Sequence, residues 1–248
     1  MSSGLVLVTP GVKGPTTSLF SGVSGTSMPI CRAIVTGSHR VELLDGSIAS
    51  RGEASLVVAG GTTPQPIFNR LSQLHLDWPK VHVGLTVERW VKASHRDSNA
   101  YLVRHSLLRN QAKSAHFHPL YIDKPRPSAA VAEAERTISA MPRPFDVVLL
   151  GMGTDGHFAS LFPGLPETKA GLDLHNPALC VAVDKQQNGY ARMSLTISAL
   201  LHSRLILVAI SGRPKRPLAL QPLAGTGNTP IATLLSHRKD DLEFLWTE

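Results

Sequence analysis

The sequence contains only two cysteines and no long run of apolar residues. Cys31 and Cys180 lie far apart and belong to no CxxC pair or Cys/His cluster with zinc spacing. This pattern predicts neither a disulfide framework nor a structural metal, and it favours a reducing compartment, the cytoplasm. Because a membrane-spanning helix needs about 18 or more consecutive apolar residues, we predict no membrane span.

Acidic residues are absent from the first 41 positions, which contain Lys13, Arg32 and Arg40. This stretch therefore contributes +3 of the formal net charge of +7, and the rest of the chain contributes +4. The opening residues are rich in Ser, Thr, Gly and Pro and lack helical periodicity, which is typical of a flexible segment. A transit peptide is a weaker alternative because arginine is absent before Arg32. We predict an atypical, flexible N-terminal segment over residues 1–47 and a single α/β domain over residues 48–248.

The excess of basic over acidic residues, with a pI near 9.7, favours binding of either nucleic acid or an anionic small molecule. Lys and Arg are scattered along the chain, without a dense basic run or the aromatic signature of RNA-binding modules. We therefore predict a small anionic partner and no nucleic acid. The sequence leaves a monomer and a dimer equally open.

Short apolar runs alternate with amphipathic segments from residue 55 onwards. The runs at 55–59, 81–85, 147–150, 179–183 and 204–210 have the length of buried strands, and apolar residues at helical spacing follow several of them. This alternation predicts a layered, mostly parallel sheet flanked by helices, Rossmann-like in architecture. We interpret residues 113–127 as a loop in which His116 and His118 are solvated.

The strongest apolar run, 147–150, ends in a turn with three glycines, at Gly151, Gly153 and Gly156. Formally these residues match the GxGxxG motif of dinucleotide-binding proteins. That motif needs a long helix directly after the glycines, whereas prolines at 163 and 166 interrupt this segment. We therefore predict no dinucleotide binding.

Asp155 and His157 lie in this same glycine turn, at the end of a strand where α/β sheets bind ligands. The sequence contains no GxSxG and no HExxH, so neither a serine nucleophile nor a zinc-bound water is indicated. His157 is the remaining candidate for a general base, although an isolated histidine in a loop is more often structural.

Three other strand ends carry groups suited to a phosphate. Gly60–Thr63 follows the first strand and precedes a helix beginning near Pro64, where a threonine hydroxyl is expected to cap the helix. Arg89 follows the second strand, and Lys215 follows the last. Each feature alone also suits an ordinary turn or a surface cation, but together they predict a phosphorylated substrate.

Four segments together resemble the 6-phosphogluconolactonase family, within the larger group that includes glucosamine-6-phosphate deaminases. They are VVAGGTTPQPIFNRL, VERWVKASHRDSN, FDVVLLGMGTDGHFASLFPG, and RMSLTISALL with SGRPKRPLAL. The resemblance runs from about Ile48 to Glu248. It implies hydrolysis of 6-phospho-D-glucono-1,5-lactone to 6-phosphogluconate in the pentose phosphate pathway, without a cofactor or a metal.

The resemblance also implies roles for individual residues. His157 matches the catalytic histidine, Asp155 its neighbouring acid, and Arg89 the arginine of an Asp-Glu-Arg motif. The residues implied in phosphate and substrate binding are Gly60, Gly61, Thr62, Thr63, Arg192 and Lys215.

One position departs from the family pattern, since Val87 replaces the acid of the Asp-Glu-Arg motif. A valine side chain cannot orient Arg89, His157 or a substrate hydroxyl. The departure raises an alternative hypothesis, a divergent phosphosugar-binding protein with weak or no lactonase activity. It also argues against a deaminase, which would use the missing carboxylate to carry a proton.

Overall fold

The protein contains ten β-strands and seven α-helices within the residues that the computed structural model describes, 6–8, 38–187, 189–212, 215, 229–238 and 241–247. The strands are β1 (Val6–Val8), β2 (Ala54–Val58), β3 (Val81–Leu85), β4 (Val87–Arg89), β5 (His116–His118), β6 (Phe145–Gly151), β7 (Cys180–Gln187), β8 (Tyr190–Leu195), β9 (Ser203–Ser211) and β10 (Leu242–Thr247). The helices are α1 (Ser38–Arg51), α2 (Gln65–Leu71), α3 (Asn99–Ser106), α4 (Val131–Ser139), α5 (Pro166–Gly171), α6 (Ile197–Leu201) and α7 (Pro230–His237). Each of these helices is too short or too polar to cross a lipid bilayer.

Seven strands form the main sheet in the order β1-β10-β9-β6-β2-β3-β5. Six of them are parallel, and β1 adds to the β10 edge in the antiparallel direction. At the centre lies β6, whose first six residues are all buried, as its continuous apolar run predicts. The predicted layered and mostly parallel sheet is confirmed.

A second, three-stranded antiparallel sheet has the order β4-β8-β7. The sequence pattern predicts no strand at β4, β5 or β8. Two of these have only three residues, too few to show alternation, and all three depend on pairing with distant parts of the chain. In this sheet Arg89 pairs in register with Arg192, so two arginines predicted for the site become cross-strand neighbours.

The boundary predicted between residues 47 and 48 falls inside α1 and is a correction to the predicted organisation. Leu44 belongs to the hydrophobic core, and Ser47 donates a hydrogen bond of 2.5 Å to the buried Asp146 on β6. Arg51 pairs with the same carboxylate at 2.6 Å. The folded unit therefore includes residues on both sides of the predicted boundary. The flexible segment is predicted over residues 1–47, and its first 37 positions, apart from β1, lie outside the described part of the chain.

The loop predicted over residues 113–127 contains the edge strand β5, and its two histidines differ. His116 is exposed, whereas His118 is half-buried beside the backbone oxygen of Thr137, 3.2 Å from its Nδ1. Because that oxygen can only accept, His118 Nδ1 carries the proton and its Nε2 accepts from His82 Nδ1 at 2.8 Å. Burial lowers the pKa of both His82 and His118. The prediction of two solvated histidines is therefore wrong for His118.

Candidate active site

The turn that follows β6 brings His157 against Asp155. The His157 ring donates from Nδ1 to Asp155 Oδ1 at 2.5 Å, and its backbone N–H donates to the same oxygen at 3.1 Å. A Cβ at Gly153 would overlap both side chains, so only glycine allows the turn to close around them. The sequence thus builds this pair locally, within five residues.

The carboxylate sets the protonation pattern of the ring. Because an ionised carboxylate only accepts, Nδ1 carries the proton and Nε2 is the nitrogen that can take one up. Burial raises the pKa of Asp155, but the hydrogen bonds from His157 and its charge outweigh burial and hold that pKa below the ordinary value. The ring of Phe162 packs on the other side of His157, with 4.3 Å between centroids.

Arg192 occupies the neighbouring wall and is almost completely buried. Its guanidinium lies 5.3 Å from the centroid of the Phe162 ring and donates to the backbone oxygen of Tyr190 at 3.0 Å. Burial, and then the charge of Arg89, lowers the pKa of Arg192 to about 10. Arg192 therefore stays charged at neutral pH and contributes a largely desolvated cation to the site.

Arg89 is held by two oxygen atoms from the segment that leads into α3. Its Nη1 donates to the backbone oxygen of Asp97 at 2.7 Å and to Asn99 Oδ1 at 3.2 Å. Asn99 in turn donates from Nδ2 to the backbone oxygen of Val87 at 2.7 Å. A Cβ at Gly60 would overlap the Asn99 side chain, so this asparagine also packs directly on the glycine loop.

Glu88, the acid beside Arg89, is fully buried and has a structural role. Its two carboxylate oxygens accept from the backbone N–H groups of Arg89, Asn99 and Ala100 and from the Ser98 hydroxyl, at 2.7–3.0 Å. Burial raises the pKa of Glu88, and these hydrogen bonds oppose the rise. The carboxylate thereby ties β4 to the N-terminus of α3, where Ser98 is the N-cap.

The Gly60–Thr63 loop lies between β2 and α2. The hydroxyl cap predicted for α2 does not form, because Pro64 is the N-cap residue and makes no side-chain hydrogen bond. The first turn closes through the backbone instead, with Gln65 N donating to the Thr62 oxygen at 3.3 Å. The loop position is confirmed, and the predicted capping contact is wrong.

These elements surround one cavity of about 340 Å³. It opens where three parallel strands end, because its lining includes Ala59, Gly151 and Ala209, which lie within two residues of the carboxyl ends of β2, β6 and β9. Every site residue predicted from the sequence lines it except Asp155, which contacts the lining residue His157. Those lining residues are Gly60, Gly61, Thr62, Thr63, Arg89, His157, Arg192 and Lys215.

The cavity is cationic. Arg89, Arg192 and Lys215 line it, and no Asp or Glu is among its described lining residues. Such a wall suits a ligand with negative charge. Among the lining residues that were not predicted as site residues, Asn99, Ser160 and Phe162 carry polar or aromatic side chains. Each lies within a segment that carries the family resemblance, but spacing along the chain does not show which of them reaches the cavity.

The parallel sheet with a cationic cavity at its strand ends defines an α/β protein whose cavity suits a small anionic ligand. The model of the glucosamine-6-phosphate isomerases/6-phosphogluconolactonase family matches residues 33–246, and the chain belongs to this family. A 6-phosphogluconolactonase of Pseudomonas putida is 39% identical over 214 residues, covering 85% of this chain and 87% of the relative.

Two further relatives agree with that assignment. A 6-phosphogluconolactonase of Caulobacter vibrioides is 38% identical over 212 residues, covering 84% of this chain and 89% of the relative. The crystal structure of a 6-phosphogluconolactonase from Shewanella baltica superposes with a TM-score of 0.82 at 37% identity, covering 89% of this chain and 94% of that one. Sequence and fold therefore lead to the same family.

Proposed function

We propose that this chain hydrolyses 6-phospho-D-glucono-1,5-lactone to 6-phospho-D-gluconate, a step of the pentose phosphate pathway, with His157 as general base. The family membership supports the reaction. The observation that carries the catalytic assignment is the His157–Asp155 pair on a cavity that also contains the glycine loop and three cations. No cofactor is needed for this chemistry.

The proposed reaction is the hydrolysis of an ester. A water molecule gives a proton to His157 Nε2 as its oxygen bonds to the lactone carbonyl carbon. The bond from that carbon to the ring oxygen then breaks, and the proton on Nε2 passes to the departing oxygen. Asp155 keeps the Nδ1 proton in place throughout and stabilises the imidazolium that forms between the two transfers.

The cations and the glycine loop hold the substrate in place. We assign the phosphate to the Gly60–Thr63 loop with Lys215, and the developing negative charge on the carbonyl oxygen to Arg89. Arg192 adds a buried positive charge beside Arg89, across the β4–β8 pair. Holding the phosphate at a distance positions the carbonyl, and positioning can be worth up to about 7–11 kcal/mol in ideal cases.

The test is a lactone hydrolysis assay corrected for spontaneous ring opening. His157→Ala should lower kcat/KM by at least about 10²-fold, the lower range for general-base catalysis. His175→Ala is a matched control, because His175 also follows an aspartate by two residues and lies outside the cavity lining. Near-normal turnover by His157→Ala would contradict the catalytic assignment.

A second candidate function is a phosphosugar-binding protein without turnover, because Val87 replaces the acid of the family's Asp-Glu-Arg motif. Val87 lines the cavity and leaves no carboxylate at that point of its wall. Calorimetry separates the two candidates. Tight binding of 6-phosphogluconate, with lactone decay no faster than in buffer, would establish the binding protein. The cytoplasmic location and the lack of nucleic-acid binding stay predictions.

A further inference from the structure

Ser160 is a buried residue on the wall of the cavity whose side chain lacks a partner. The residue is 1% exposed, and its Oγ has no hydrogen-bond partner in the described part of the chain. Five other buried side-chain atoms share this property, those of Arg51, Thr86, Glu133, Glu167 and Thr168, but none of these residues lines the cavity. Since buried polar groups are nearly always paired, the Ser160 hydroxyl is suited to a partner that enters the cavity.

The backbone of Ser160 is fixed, whereas its buried hydroxyl has no hydrogen-bond partner in the described part of the chain. Its N–H donates to Ser194 Oγ at 3.1 Å, and that hydroxyl donates to the backbone oxygen of Leu195 at 3.0 Å. Ser194 pairs in register with Val87, so Ser160 lies beside the wall that Val87 helps to form. It is also three residues beyond His157 along the chain, and both residues line the cavity.

We propose that the Ser160 hydroxyl hydrogen-bonds to one hydroxyl group of the sugar and makes the site selective for that group over a deoxy sugar. This inference rests on the proposed function, because the sugar is the substrate assigned there. A serine hydroxyl both donates and accepts, which matches the hydrogen-bonding capacity of a sugar hydroxyl. A site that holds such a pair discriminates against an analogue lacking one member, because the other member is then left buried and unpaired.

The experiment compares the unchanged protein and Ser160→Ala on 6-phosphogluconolactone and on its 2-deoxy, 3-deoxy and 4-deoxy analogues. Ser160→Ala should lower kcat/KM for the full substrate by about 10-fold, the upper range for one neutral hydrogen bond. One of the analogues lacks the sugar hydroxyl that bonds to Ser160, so the substitution removes no hydrogen bond to it. For that analogue kcat/KM should change less than about 2-fold, which is within the error of such comparisons.

Thr168→Val is the matched control. It also removes a buried, unpaired hydroxyl, but Thr168 lies outside the cavity lining, so kcat/KM should be unchanged for all four substrates. The proposal is overturned if Ser160→Ala leaves the full substrate unaffected, or if it lowers all four values equally.

A second measurement tests the Ser160 contact independently of whether the protein hydrolyses the lactone. If the unchanged protein does not hydrolyse the lactone, calorimetry with 6-phosphogluconate and its deoxy forms gives the same comparison in Kd. The expected pattern, a loss for the full ligand and none for one deoxy form, then supports the Ser160 contact while the hydrolase assignment fails. Absence of any binding overturns both.

Discussion

Asn99 accepts a hydrogen bond from Arg89 and donates one to the backbone of Val87. This relationship bears on the departure at position 87, where a valine cannot orient Arg89. In the structure the guanidinium is held by Asn99 Oδ1 and by the backbone oxygen of Asp97. The arginine is therefore oriented without a carboxylate at position 87, which favours the hydrolase over the binding-only alternative.

We expect Asn99→Ala to lower kcat/KM by about 10-fold. Arg89 would lose one of its two acceptors, the Val87 carbonyl would lose its donor, and the glycine loop would lose the side chain that packs on Gly60. Steady-state lactone hydrolysis, corrected for spontaneous opening, is the measurement.

Asn176→Ala provides the control for this substitution. Asn176 also donates to a backbone oxygen, at 2.9 Å, and accepts from a backbone N–H, at 3.0 Å, but it lies outside the cavity lining. Its removal should affect stability without affecting kcat/KM. Equal kinetic losses in the two variants would show that Asn99 acts only on the fold.

Val87→Asp should raise kcat/KM. The new carboxylate would lie in the cavity lining next to Arg89 and could accept a hydrogen bond from a substrate hydroxyl, as the family pattern implies. Val87→Asn, similar in shape and uncharged, separates the effect of charge from that of size. No change, or a loss, in Val87→Asp would show that this cavity works without the acid.

Asp155→Asn should lower kcat by at least about 10-fold while the fold is retained. Asparagine keeps an amide oxygen that can accept from Nδ1, but it carries no charge, so it holds the Nδ1 proton less firmly and does not stabilise the imidazolium. Asp173→Asn is the control, because Asp173 Oδ1 accepts the backbone N–H of His175 at 3.0 Å in the same Asp-x-His spacing. A kcat unchanged by Asp155→Asn would remove Asp155 from the mechanism.

The lowered pKa of Asp155 also predicts a pH dependence of stability. A carboxyl whose pKa is lower in the folded state stabilises the fold above its unfolded pKa and loses that contribution as the pH falls through the folded value. The unchanged protein should therefore exceed Asp155→Asn in free energy of unfolding at pH 6, by a small margin because the side chain is half exposed. The margin should vanish well below pH 3.8. Urea unfolding at both pH values measures it, and a margin that grows on acidification would contradict the assignment.

Local sequence signals determined the parts of the site that are built within a few residues. The apolar run of β6 and the glycines that follow it predicted a buried strand and a turn with Asp155 and His157, and the structure has both. These signals are strong because a strand buried on both faces must be apolar throughout, and because a turn this tight around two side chains requires glycine. The same logic located the Gly60–Thr63 loop, although not the way in which its helix begins.

Only the tertiary structure decided which distant residues complete the cavity. Arg89 and Arg192 become neighbours through the pairing of β4 with β8, about a hundred residues apart, and neither strand has a pattern that predicts this register. Asn99 and Ser160 are ordinary polar residues in the sequence, and their roles follow from what they contact or fail to contact. The strand ends and turns could thus be predicted because local geometry constrains residue type. The walls of the cavity could not, because contacts between distant segments leave no periodic signal in either one.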